Sequence, residues 1–197
     1  MTAETWLALL LFATVACITP GPGNTLMMSS GLRRGIVATL PLLAGINVGF
    51  MALLAAVGAG LGAVIIALPG AALALKLAGG CYILWLALRL ARAGPPRNEQ
   101  DGALPSFGGG FLLQWLNGKA WLMAVGAVAA YVRPEAVIES LGIVAATFLV
   151  IGVAANLLWT AGGAMLRPLL MTETSARRAN AVLAGLLAVS AVPILLS

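Results

Sequence analysis

The sequence contains no histidine, six acidic residues, two cysteines and a charged fraction of only 9% across 197 residues. Each scarcity removes a class of chemistry. Without histidine, the commonest general base, proton relay and metal ligand is gone. The acids, Glu4, Glu99, Asp101, Glu135, Glu139 and Glu173, all fall between apolar runs or at their ends, so paired carboxylates have no buried place to work. Cys17 and Cys81 show neither CxxC nor zinc-ligand spacing and read as small apolar packing residues. There is no phosphate-binding glycine loop and no Ser-Lys or Asp-Asp pair at catalytic spacing. An enzyme, a resident metal and a cofactor are all unexpected.

What is present in quantity is hydrocarbon. Hydrophobic residues make up 61% of the chain and mean hydropathy is +1.05, a composition that cannot cover a water-soluble domain with polar surface. The expectation is an all-α integral membrane protein embedded in a lipid bilayer. Apolar runs bounded by charge, Pro or Gly give six spans of roughly 5–31, 37–67, 71–92, 107–132, 137–166 and 179–196. Glu4 stands where a signal peptide would carry positive charge, so the first run is expected to remain in the protein. The net charge of +5 comes from basic residues scattered at span ends and not interleaved with aromatics, which argues against nucleic acid as a partner.

Those basic residues order the topology. Arg33 and Arg34 follow span 1, Arg89, Arg92 and Arg97 follow span 3, and Arg167, Arg177 and Arg178 lie between spans 5 and 6. The opposite connections hold Arg133 and Lys76. By the positive-inside rule the first three connections face the cytoplasm and both termini lie outside, in the inner membrane if the source is bacterial. The most polar interval, GPPRNEQDGALPS from Gly94 to Ser106, reads as a central cytoplasmic loop. A single transporter-sized domain over 1–197 then divides into repeat 1 (about 1–93), the loop (about 94–106) and repeat 2 (about 107–197). With three spans in each half, related halves would be an inverted repeat. Asn24 matches Asn117 in position, and LAGG (Leu77 to Gly80) matches LAGL (Leu183 to Leu186).

Two spans are expected to be interrupted. ITPGPGNT, Ile18 to Thr25, places two prolines, two glycines and an asparagine about 21 Å of helix beyond Trp6, inside a ~30 Å hydrocarbon core. Pro20 and Pro22 lack N–H groups, and Gly21 and Gly23 let the chain unwind, so helical partners are lost there. Such backbone is tolerated only where it faces protein or a water-filled cavity. A packing kink is the plain alternative. A helix restarting at Asn24 would aim its free N–H groups at an anion such as a carboxylate.

In span 4, FLLQWLNGKAWLM sets Asn117, Gly118 and Lys119 about 15 Å of helix in from Phe107, close to the midplane. A lysine at that depth costs ~2.5–3.5 kcal/mol on insertion scales and needs a partner or a purpose. It either snorkels to the surface or meets the substrate, with Gln114 and Asn117 on a shared face beside it. Asn47 and Asn156, in spans 2 and 5, are suited to hydrogen bonds between helices or to substrate contact, and Gly45 and Gly49 to close packing.

TPGPGNTLMMSSGLRRG (19–35), LKLAGGCYILWLALRLAR (75–92) and FLLQWLNGKAWLM (111–123) together resemble the LysE/RhtB family of bacterial amino-acid exporters across nearly the whole chain. FLLQWLN and NLLWTAGG (Asn156 to Gly163) look most like its cysteine and O-acetylserine exporter branch. The resemblance implies proton-driven export of small amino acids or related metabolites, among them cysteine, O-acetylserine, homoserine, threonine or leucine. It carries a substrate-binding role onto Pro20, Gly21, Pro22, Asn24, Asn117 and Lys119, to which the residues themselves add Gln114 and Asn156. Lys119 is also the proton-coupling candidate. Two departures stand out: Gly118 occupies a position where the family commonly has Pro, which suggests a milder second break, and Gly23 is inserted between PGP and Asn24. A passive channel for small zwitterions is the rival reading, since interrupted helices also line pores. The glycine faces leave room for a homodimer.

Overall fold

In the computed structural model, which describes residues 1–93, 104–170 and 172–192, every regular element is helical. Helix α1 (Ala3–Ile18) is followed by an extended break and by α2 (Pro22–Gly58), α3 (Leu61–Ala67) and α4 (Pro69–Ala91). After the central connection come α5 (Phe107–Leu116), α6 (Gly118–Tyr131), α7 (Val137–Leu166) and α8 (Glu173–Val189), with single 3-10 turns at Pro134–Ala136 and Arg167–Leu170. Pro22–Gly58, Leu73–Ala91 and Pro134–Leu166 are long and apolar enough to cross a membrane, and α1 is a shorter apolar helix. Residues 94–103, which hold most of the expected central loop with Arg97, lie outside the described residues, as do 193–197 at the end of the expected sixth span.

The helix boundaries depart from the expected span limits in three places, each with a local cause. Helix α2 restarts at Pro22, two residues before Asn24, because a proline at the first helical position needs no N–H and has its φ preset. Where the sequence predicts a connection between the first and second spans there is a single residue, Gly35 at φ 78°, which divides α2 into arms 22–34 and 36–58. Only glycine takes that conformation without strain. The second span stops at Gly58, since Gly60 at φ 101° turns the chain and sets α3 apart.

Helix α2 occupies the middle of the molecule. Its first arm lies against α7 so closely that a Cβ on Gly31 would collide with the Thr160 carbonyl, and one on Gly163 with the Met28 carbonyl. The second arm does the same against α5, where Gly45 meets the Phe107 carbonyl and Gly49 lies against Phe111. These small residues serve backbone approach, as small-xxx-small pairs do in membranes.

Two apolar clusters result. One gathers Leu26, Leu42, Ile46, Leu86 and Leu113, and the other gathers Leu9, Phe50, Leu53, Ala120 and Phe148. Along each central strand of chain the polar residues fall between the clusters: Asn47 between Ile46 and Phe50, Asn117 between Leu113 and Ala120.

The arginine-bearing connections converge at one end. Arg33 donates to Asn180 Oδ1 at 3.5 Å, and Asn180 Nδ2 donates to the Ala93 carbonyl at 2.7 Å. Arg34 donates to the carbonyls of Leu104 and, at 3.4 Å, Pro105. Side-chain bonds thus tie the end of the first arm to the middle of α8, to the residues just after α4 and to those just before α5. Both arginines are buried, not splayed into solvent, which the charge count alone did not anticipate.

Candidate functional site

The first break is Thr19, Pro20 and Gly21. Helix α1 ends because Pro22 and Pro20 supply no N–H, leaving carbonyls of its last turn without helical partners. Side chains from three other places satisfy them. Asn24 Nδ2 donates to the carbonyls of Cys17 (2.7 Å) and Thr19 (2.8 Å). Trp159 Nε1 donates to Ile18 O at 3.3 Å, and Lys119 Nζ donates to Thr19 O at 2.5 Å.

The second break is a true interruption and not the mild one that Gly118 suggested. Asn117 is extended at φ −101° and ψ 107°, and its side chain caps α6 by accepting from the Lys119 N–H at 3.1 Å. The carbonyl of Trp115, freed by the break, accepts from Trp121 Nε1 at 2.8 Å. Helices α5 and α6 measure about 15 and 21 Å at 1.5 Å per residue, so the interruption sits partway along a span-length unit.

The two breaks meet. Lys119, in the first turn of α6, reaches across to α1, and it passes over Gly21 so tightly that a Cβ there would stand 2.9 Å from its Cδ. The N-terminus of α2, with no side-chain cap, and the N-terminus of α6 both border this point, so two positive helix ends and one ammonium share a small volume. An anion is the charge this arrangement favours.

A cavity opens at the same level, enclosing about 530 Å³ of atom-free space including its mouth, with interior room of about 60 Å³. Its polar lining comes from Asn24, Asn47, Gln114, Asn117, Lys119 and Asn156, its apolar lining from residues such as Phe50, Met123 and Phe148. Gln114 is 5% exposed and Asn156 is 6% exposed, yet neither side-chain amide makes a hydrogen bond among the described residues. Buried amides left unpaired next to open space mark where a water or a ligand completes the bonding. No His, Cys, Asp or Glu cluster suited to a metal occurs among the described residues.

Of the expected site residues, Gly21, Asn24, Gln114, Asn117, Lys119 and Asn156 line this one cavity. Pro20 and Pro22 do not: Pro20 faces outward and Pro22 is the buried first residue of α2, so both shape the break without lining the space. Cys17, read as a packing residue, lies in the lining, and so do Gly152, Phe50 and Phe148. Nothing in helical periodicity separates such wall residues from ordinary core. The Thr19 carbonyl was reachable only through geometry.

The LysE type translocator family model matches residues 14–196. The chain belongs to this family. Relatives include the cysteine/O-acetylserine efflux proteins of Escherichia coli (strain K12) and Shigella sonnei (strain Ss046), each 33% identical over 186 residues that cover 93% of this chain and 93% of the relative. That of Escherichia coli O1:K1 / APEC is 32% identical over the same length and coverage. No solved structure matches. As a LysE translocator with helices long and apolar enough to cross a bilayer, the chain is a multi-pass membrane protein. Both breaks and the whole cavity lie within the matched residues.

Proposed function

We propose that this protein exports small neutral amino acids, cysteine and O-acetylserine foremost, from the cytoplasm across the inner membrane by alternating access at the cavity where the two breaks meet. The observation that carries the proposal is the pairing of Lys119, held on a freed carbonyl of the other break, with two unpaired buried amides at Gln114 and Asn156. A zwitterion presents the complement of each. Its carboxylate takes Lys119 and the N–H groups at the start of α2, because a charge-assisted bond to a carboxylate is stronger than one to a neutral carbonyl. Its ammonium meets the amide oxygens of Gln114 and Asn156, since the carbonyls of Cys17, Ile18 and Thr19 already accept from Asn24, Trp159 and Lys119.

The interior room of about 60 Å³ holds on the order of four waters at ~10–15 Å³ each, so the lining must part to admit even a short amino acid. That requirement favours a carrier over a standing pore. Six spans arranged as two inverted repeats, with α1 plus the first arm of α2 answering to α5 plus α6, give the two halves that would rock about this site. The carboxylate replaces Thr19 O on Lys119 and so releases α6 from α1, coupling cargo to the movement of both broken spans. Lys119, the basic side chain of the lining, is the proton-coupling candidate. With no acidic side chain in the lining, a cationic amino acid would bring a second positive charge with no counter-charge to meet it.

The test is transport by the purified protein in proteoliposomes, with a panel of labelled amino acids and an imposed pH gradient, wild type beside Lys119→Ala. Saturable flux of small neutral amino acids, accelerated by the gradient and lost in the variant, is expected. Linear, gradient-independent flux would replace the carrier with a channel, and full-rate export by Lys119→Ala would remove the charged site.

A further inference from the structure

A second cavity lies away from the breaks, at the arginine-rich end, between the first arm of α2, the end of α7 and the first half of α8. Its interior room is about 540 Å³, several times that of the central cavity. The walls are hydrocarbon: Met28 and Leu32 from α2, Leu166 from α7, and Ala179, Val182 and Leu183 from α8. The polar groups collect at one place only, where Thr172, Thr174, Ser175 and Arg178 stand on the first turns of α8. From Ser175 to Val182 the groove follows about 10 Å of helix at 1.5 Å per residue.

The charges around it are unequal. Arg177 pairs with Glu173 at 2.6 Å, and Arg33 and Arg34 are buried in the bonds that tie the first arm to its neighbours. Arg178 is exposed at the groove and makes no hydrogen bond or ion pair among the described residues. The Thr172 and Ser175 hydroxyls bond each other in the cap of α8, leaving Arg178 and the Thr174 hydroxyl to face the slot's head. A long apolar slot with an uncommitted cation at its head is complementary to a molecule that is hydrocarbon along its length and anionic at one end.

From this complementarity we infer that the groove is a binding site for an anionic phospholipid of the leaflet at the arginine-rich end, one acyl chain lying against Met28, Leu32 and Val182 and the phosphate meeting Arg178. The occupant is a lipid because the slot opens among apolar helices at the end where the basic residues gather, and anionic headgroups concentrate at such juxtamembrane cations. A zwitterionic lipid such as phosphatidylcholine would fill the same slot but bring its own cation close to the guanidinium, weakening the match. The site touches the half-helix that follows the first break, so an occupied groove would brace that arm against α7 and α8. It is independent of which amino acid is carried.

The experiment uses the full-length protein in detergent doped with phosphatidylglycerol or phosphatidylcholine, and counts retained lipid by native mass spectrometry. The wild type is expected to retain phosphatidylglycerol in preference to phosphatidylcholine. Arg178→Gln should weaken that retention about fivefold, the factor matching roughly 1 kcal/mol for one cation at a lipid surface, and Arg178→Lys should restore most of it. Val182→Trp, at a position with room for the ring, should reduce retention of both lipids by obstructing the slot. Arg177→Gln serves as the control, having the same charge change outside the groove, and should leave retention unaltered. Equal retention of the two lipids by the wild type, or equal loss in Arg177→Gln and Arg178→Gln, would overturn the site, and binding of a second copy in place of lipid would do so as well.

Discussion

Asn24 and Gln114 are both buried amides on the wall of one cavity, and they do opposite work. Asn24 spends its donor on the carbonyls of Cys17 and Thr19, whereas the amide of Gln114 makes no bond among the described residues. Removing the first leaves the Cys17 carbonyl of a broken helix unsatisfied and the Thr19 carbonyl with Lys119 alone, at about 1–3 kcal/mol for a buried group left unpaired. Asn24→Ala is therefore expected to lower the thermal unfolding midpoint clearly. Gln114→Ala should leave that midpoint within the scatter of a neutral change and instead raise the concentration of substrate at half-maximal export several-fold. A stability loss as large in Gln114→Ala as in Asn24→Ala would mean the two amides share a structural role. Gly21 makes the companion case. A methyl there stands 2.9 Å from Lys119 Cδ, the middle of a flexible chain, so Gly21→Ala should fold and push Lys119 off Thr19 O. Export about tenfold slower, with stability changed by no more than ~0.5–1 kcal/mol, is the expected pair of readings.

At the scale of elements, what the sequence disclosed was where helices cannot continue. Pro20, Gly21 and Pro22 announced the first break because proline removes donors whatever surrounds it. The second break carried no such mark: Gly118 is permissive, and Asn117 departs from helix because its side chain and that of Trp121 satisfy the ends on either side, bonds made by residues that look helical one at a time. Likewise Gly35 and Gly60, at φ 78° and 101°, were two glycines among 24 until their backbone was seen. The geometry at the second break makes a prediction of its own. Gly118 is the first residue of α6, where an N–H has no helical partner, and Asn117 before it already holds φ −101° and ψ 107°, near the region that a following proline demands. Gly118→Pro should be tolerated and should stabilise the protein by about 0.4–1 kcal/mol through the unfolded chain, with export retained. Loss of folding would show that the break needs glycine's freedom at that position.

Across the whole molecule the legible part was the distribution of charge. Arg33, Arg34, Arg89 and Arg167 belong to connections that the positive-inside count assigned to one side, and the fold brings those connections together at one end through Asn180, Leu104 and Ala93. Illegible from the same count was that Arg33 and Arg34 would be buried ties from the first arm to its neighbours, since a count of loop charges is blind to which side chains fold back. The cavity was half legible for a related reason: anomalous polar residues in apolar runs, such as Lys119 and Asn117, stand out, while Phe50, Met123 and Phe148 look like the core they adjoin. The orientation of the two ends in the membrane follows as a test. Glu135, exposed in the turn before α7, and Thr174, exposed near the start of α8, lie at opposite ends of that helix. With Cys17 and Cys81 replaced by serine, a single cysteine at Glu135 should react with a membrane-impermeant maleimide added to intact cells, and one at Thr174 only after the cells are opened. The reverse pattern would invert the topology and turn the arginine-rich end outward. Reaction of both from the same side would be incompatible with α7 crossing the bilayer, and with it the two-sided access that export through the central cavity requires.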